Sequence, residues 1–137
     1  YPSQFPTREH FAPAKDADMG KELPPELSIE QKERAQRLID KVNAWIDIER
    51  EGLESFNVRF GSDYIKEEEQ RLYAMGNQAP EQAREHLQWL KRKIQDITEL
   101  LRVLREIKET LFQGRFAYPG PGDSIERTFE NAVDRYH

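Results

Sequence analysis

The sequence predicts an all-α protein, an elongated antiparallel helical hairpin of coiled-coil type with a short third helix and a C-terminal docking helix. Three observations predict it. Two long stretches repeat apolar residues in alternating steps of three and four. Proline, glycine and cap-forming residues stand at the ends of those stretches. Charged residues make up 34 % of the chain and apolar ones 36 %. That balance suits thin helices that each bury one stripe, rather than a thick globule. At 137 residues the chain is the size of one domain.

Residues 1–27 read as an extended proline-rich arm. Pro2, Pro6, Pro13, Pro24 and Pro25 remove backbone donors and block helix. Tyr1, Phe5 and Phe11 lie among them without helical or strand period; a flexible tail is one reading, and aromatics docked on the bundle or on a neighbour are the other, which is the expectation.

The helical hairpin spans 28–113, with helices at about 28–60, 63–75 and 80–113 set by the caps and periods that follow. Ser28 followed by Gln31 fits a capping box, in which each side chain satisfies the other's free backbone N–H. The first stripe is Ala35, Ile39, Val42, Ile46, Glu49, Leu53, Phe56 and Phe60, with Glu49 its one polar member. Leu38 and Trp45 widen it. A period of about 3.5 residues marks a coiled-coil seam. Gly52 lowers helix stability by about 1 kcal/mol relative to alanine, so a bend or early end is expected between Gly52 and Gly61. Gly61-Ser62-Asp63 reads as a stop followed by a cap. Gly76-Asn77 closes the short helix, as glycine does at a left-handed C-cap.

Pro80 opens the third helix and Gly114 stops it. Its seam is Ala83, Leu87, Leu90, Ile94, Ile97, Leu101, Leu104, Lys108 and Leu111, with Lys108 the one break. Leu100, Val103 and Ile107 form a second stripe beside it. The seams of helices one and three can cover each other in an antiparallel pair. The second stripe needs another cover: the last helix, a second copy of the chain or a foreign protein.

Residues 114–137 are read as a connector and a C-terminal helix. FAYPGPG at 116–122 is rich in turn residues. The helix starts at Asp123, with Glu126 completing a second capping box. Ile125, Phe129, Ala132, Val133 and Tyr136 share one face. Such a helix is expected to fold back on the hairpin.

Catalysis finds little support. No cysteine is present, which excludes disulfides and thiolate metal sites. The three histidines are His10 in the arm, His86 beside the third-helix seam, and His137. A di-iron bundle needs two Glu-x-x-His pairs, and the sequence has none. The serines fit caps or lack His/Asp companions. No cofactor or metal is implied. The net charge of −5 has both signs interspersed, without the basic face that phosphate neutralisation requires, so nucleic acid is not the expected partner. No apolar run approaches the roughly 18–20 residues of a membrane span. No signal peptide is visible, and an intracellular setting is the expectation.

The stretch 23–107 resembles HR1-type domains, the antiparallel helical hairpins of Rho-effector kinases and F-BAR adaptors. LPPE at 23–26 precedes the first helix. IEREGLESF at 48–56 is similar to a charged segment with an internal glycine that the kinases carry. Met75-Gly76, with Ala79 beyond, precedes the second long helix as in the adaptors. The region between Phe56 and Met75 is longer than in that pattern, and the segment 114–137 has no counterpart in it. The resemblance implies binding of a GTP-loaded Rho-family GTPase through exposed residues near 48–56 and on the flank of helix three.

The expected function is therefore non-catalytic protein–protein interaction. Leu100, Val103 and Ile107 would be buried by the partner, with Trp89 as anchor. Arg92, Arg102 and Arg105 would tune register and partner choice. The alternative is a structural subunit of a larger multiprotein assembly, anchored by its N-terminal arm. Self-association is compatible with both.

Overall fold

The computed structural model describes residues 21–117, 122 and 124–137. The expected docking of Tyr1, Phe5 and Phe11 lies outside the described residues, as does Asp123. Among the described residues there are four α-helices and no strand: α1 (Ile29–Phe60), α2 (Ser62–Met75), α3 (Glu81–Phe112) and α4 (Ile125–Tyr136). Single 3-10 turns stand at Gly76–Gln78 and Arg115–Ala117.

Local chemistry sets the helix ends. The Gln31 N–H donates to Ser28 Oγ at 3.1 Å, and the Ser28 N–H donates to Gln31 Oε1 at 2.9 Å, completing the capping box. The helix runs unbroken through Gly52 to Phe60. The early end expected near Gly52 does not occur, because one glycine in a helix this long is outweighed by the packing on both sides of it. Gly61 alone joins α1 to α2. A Cβ there would lie 2.9 Å from the Asn57 carbonyl oxygen, so the join is tight enough to require glycine. Ser62 and Asp63 do not cap α2; they are its first residues, and the cap position is Gly61, without a side-chain hydrogen bond. Gly76 takes a positive φ of 57°, the conformation glycine tolerates best, but its ψ of −129° is outside the left-handed helical region.

Helices α1 and α3 form the antiparallel hairpin, burying Ala35, Ile39, Val42 and Ile46 with Ile97, Leu101, Leu104 and Leu111. The polar breaks of both seams are buried as well, Glu49 at 5 % exposure and Lys108 at 5 %. Helix α2 builds a second, smaller core on the first half of α3, from Ile65, Leu72, Ala79 and Leu87, with Ala83 and Ile94 against it. Lys91 of α3 reaches Glu69 of α2 at 3.0 Å.

Helix α4 lies on the other half of the hairpin and runs in the same direction as α1. Glu126 near its start pairs with Arg34, and His137 just past its end meets Glu49. Its cap is Ser124, whose Oγ accepts from the Arg127 N–H at 3.2 Å. The capping box expected of Glu126 with Asp123 lies outside the described residues; both Glu126 carboxylate oxygens accept hydrogen bonds from the Arg34 guanidinium, each at 2.5 Å. This bidentate pair is the stronger use of the carboxylate.

The cover on the second stripe is therefore α4. Leu100 is 0 % exposed and Ile107 3 %, in one core cluster with Phe129 and Ala132, and Val103 packs against that cluster. The expectation that Leu100, Val103 and Ile107 meet a partner is corrected: the chain's own amphipathic helix occupies that stripe.

Residues 21–27 are seated on the hairpin rather than forming a free arm. Leu27 is buried, and its N–H donates to the Pro24 carbonyl at 3.2 Å. Lys21 Nζ lies 3.3 Å from Glu109 Oε2. Gly114, with a φ of 75°, passes under Pro24; a Cβ there would come within 3.0 Å of Pro24 Cγ.

Candidate protein-interaction surface

Helix α3 changes partner along its length. From Ile97 to Leu111 its seam faces α1, whereas Leu87, with Ile94 beside it, belongs to the α2 cluster. Phe56 and Phe60, in the last two turns of α1, belong to neither core cluster. Phe56 and Phe60, which continue the α1 stripe, turn instead to aromatic neighbours. Phe56 lies 5.4 Å from Phe60 and 6.4 Å from Trp89, centroid to centroid. Phe60 meets Tyr64 at 5.4 Å and His86 at 6.1 Å, both edge to face. His86 and Trp89 stack at 6.1 Å with 13° between their planes. These spacings fall in the range where aromatic pairs attract.

The five rings form one surface at the meeting point of α1, α2 and α3. Trp89 is 54 % exposed and Tyr64 37 %. Phe56 and Phe60 are half-buried, and His86 is exposed. A large aromatic side chain held by ring contacts yet open to solvent has lost little rotamer freedom that a partner must remove. Trp and Tyr are the residues most often found as binding anchors.

Of the seven expected interaction residues, the structure leaves Trp89 on this surface and puts Leu100, Val103 and Ile107 under α4. Arg92 is exposed one turn from Trp89. Arg102 is exposed but engaged on its own helix, with Glu99 and Glu106 on either side. The hydrogen bonds that Arg102 donates to Glu99, and then the charges of Glu106 and Glu99, push its pKa up; the same bonds hold Glu99 below the usual carboxylate range. Arg105 is exposed farther along the helix. The three arginines thus do not converge with Trp89 on one patch. Phe56, Phe60, Tyr64 and His86 are additions to the site. Phe56 and Phe60 read as seam residues in the sequence, and only the change of partner along α3 reassigns them.

Groups that could do chemistry are scattered. Among the described residues no three His, Asp or Glu side chains are placed to hold a metal ion. No helix among them is long and apolar enough to cross a membrane. The depression between α2 and α3 is lined by Leu72, Tyr73, Gly76, Arg84 and Leu87. Its charged members are engaged locally: Arg84 donates to the Gly76 carbonyl, and Glu69 pairs with Lys91. Burial pushes the Asp47 carboxyl above its ordinary range, and the charges of Arg50 and Lys108 act against that shift.

Glu49 occupies a separate polar contact on the α4 side. Its Oε1 lies 2.6 Å from His137 Nδ1, and the His137 ring meets the Trp45 ring at 4.7 Å, near perpendicular. This ties the end of α4 to the middle of α1.

Comparison with family models, with curated proteins and with solved structures returns no match for this chain. The class that fold and surface define is an all-α helical hairpin with two added helices.

Proposed function

We propose that this chain is a non-catalytic protein–protein interaction module that binds through the aromatic surface around Trp89. The observation that carries the reading is that Trp89, at 54 % exposure, is propped by Phe56 and stacked on His86 without being covered. Packing alone gives no reason to leave so large an apolar side chain in water, whereas binding does. Arg92 beside it supplies a charged flank.

The partner class that the HR1-type resemblance implies is a Rho-family GTPase in its GTP-bound form. Phe56, at the end of the 48–56 segment, lies against Trp89 on the α3 flank, which supports that reading. The test is affinity capture from source-cell lysate with a non-hydrolysable GTP analogue or GDP, read by mass spectrometry. A small GTPase enriched only with the analogue is the expected result. A set of partners indifferent to nucleotide overturns the GTPase assignment and turns the reading toward a subunit of a larger assembly.

A further inference from the structure

We propose that α4 is a lid on the hairpin: it undocks and unwinds as one unit while α1 and α3 stay paired, and so switches the stripe of Leu100, Val103 and Ile107 between core and surface. The inference is independent of the reading of the Trp89 surface.

Helix α4 owes its form to its seat. It has 12 residues, and a helix so short is marginal in water by itself. Docking and helix formation are therefore one step, and opening releases the conformational entropy of the whole segment at once. The seat is small. Phe129 and Ala132 are buried in it, and Ile125, Val133 and Tyr136 pack partly buried against the same cluster. The body of α4 packs on α3, while α1 holds its two ends through Arg34–Glu126 and Glu49–His137. Both clips face water on one side, with side-chain exposures of 40 % at Glu126 and 48 % at His137.

The hairpin closes without α4. Its seam joins Ala35, Ile39, Val42 and Ile46 to Leu101, Leu104 and Leu111. The chain is also anchored before α4 begins. Phe116 is buried, and Gly114 is pressed under Pro24 beside Leu27. Undocking from Ser124 onward leaves that anchor in place.

Glu49 biases the balance. It is a carboxylate at 5 % exposure in an otherwise apolar stripe, and its Oε1 is turned to the half-exposed His137. When α4 leaves, water reaches the carboxylate, and hydration of a buried charge favours the open state. An aliphatic residue at this position favours the closed one. His137 acts in the opposite sense, because it compensates the carboxylate only while α4 is docked.

Native-state hydrogen exchange of the full chain, read residue by residue by NMR, tests the lid. The expected result is one shared protection factor for the amides of residues 129–133, about a hundredfold or more below that of residues 101–104. His137→Ala lowers the α4 value by about tenfold, and Glu49→Leu raises it by about as much. Val42→Ala, in the seam between α1 and α3, lowers the protection of residues 101–104 by about tenfold or more and leaves that of α4 unchanged, since the seam stays paired in the open state. Equal protection in α4 and the seam overturns the proposal, as does an α4 value that falls with Val42→Ala, because the molecule then opens only as a whole. Protection that declines residue by residue toward His137 also overturns it, since the end then frays rather than undocks. A Glu49→Leu variant with unchanged or lower α4 protection removes Glu49 from the device and overturns the proposal in that part.

Discussion

His137 Nδ1 lies 2.6 Å from Glu49 Oε1, joining the residue after α4 to a carboxylate buried in the α1 seam. Glu49 is the polar break in an otherwise apolar stripe. The contact explains how that break is tolerated, since a buried carboxylate needs a hydrogen-bond partner. His137→Ala removes this partner and is expected to lower stability by roughly 1–3 kcal/mol. Urea denaturation of the two proteins checks it, and equal midpoints would show the contact to be unimportant.

Much of this architecture was legible in the sequence, and the exceptions have physical causes. The seams of α1 and α3 repeat so regularly that their pairing and the helix ends follow to within a residue or two. The second stripe of Leu100, Val103 and Ile107 was also visible, but not its cover. Choosing among α4, a copy and a foreign protein needs the path of the 114–124 connector, which periodicity does not contain. The same limit hid the Glu49–His137 contact, whose members are 88 residues apart. Trp89 stood out because it sits just off the seam. Its neighbours Phe56 and Phe60 did not, because they keep seam spacing while α3 turns its own seam to α2.

Leu100→Asp combined with Ile107→Asp tests the cover directly. Both residues are buried against α4, so the double variant is expected to unfold or shed α4 rather than merely lose a partner. Leu100→Ala alone is expected to cost about 2–5 kcal/mol. Circular dichroism melts read both. A double variant that melts like the parent contradicts the burial of this stripe.

The Arg34–Glu126 pair makes stability depend on pH in a defined sense. The Arg34 hydrogen bonds hold Glu126 below the usual carboxylate range. A lowered folded pKa means that this stabilisation is present above the unfolded value near 4.5 and is lost as pH falls through the lower folded value. The pair is partly exposed, so its contribution is at most about 1 kcal/mol. Glu126→Gln is expected to reduce stability at pH 7 and to flatten the acid limb of the stability curve. A steeper acid limb in the variant contradicts the pairing.

Two glycines should respond in opposite directions to the same substitution. Gly114→Ala places a Cβ at a φ of 75° and within 3.0 Å of Pro24 Cγ, so a loss of about 1–2 kcal/mol is expected. Gly52→Ala enters open space within a helix and is expected to gain up to about 1 kcal/mol. Paired thermal melts decide it, and shifts of equal sign would contradict the distinction between the two sites.

The central claim is that the exposed ring of Trp89 serves binding and not the fold. Its most direct test is quantitative affinity capture from source-cell lysate with the parent chain and Trp89→Ala, alongside a melting curve for each. The expected result is a melting temperature within a few degrees of the parent and at least tenfold less of the captured partner. A variant that keeps its partners undiminished, or one that loses them only because it unfolds, would contradict the claim.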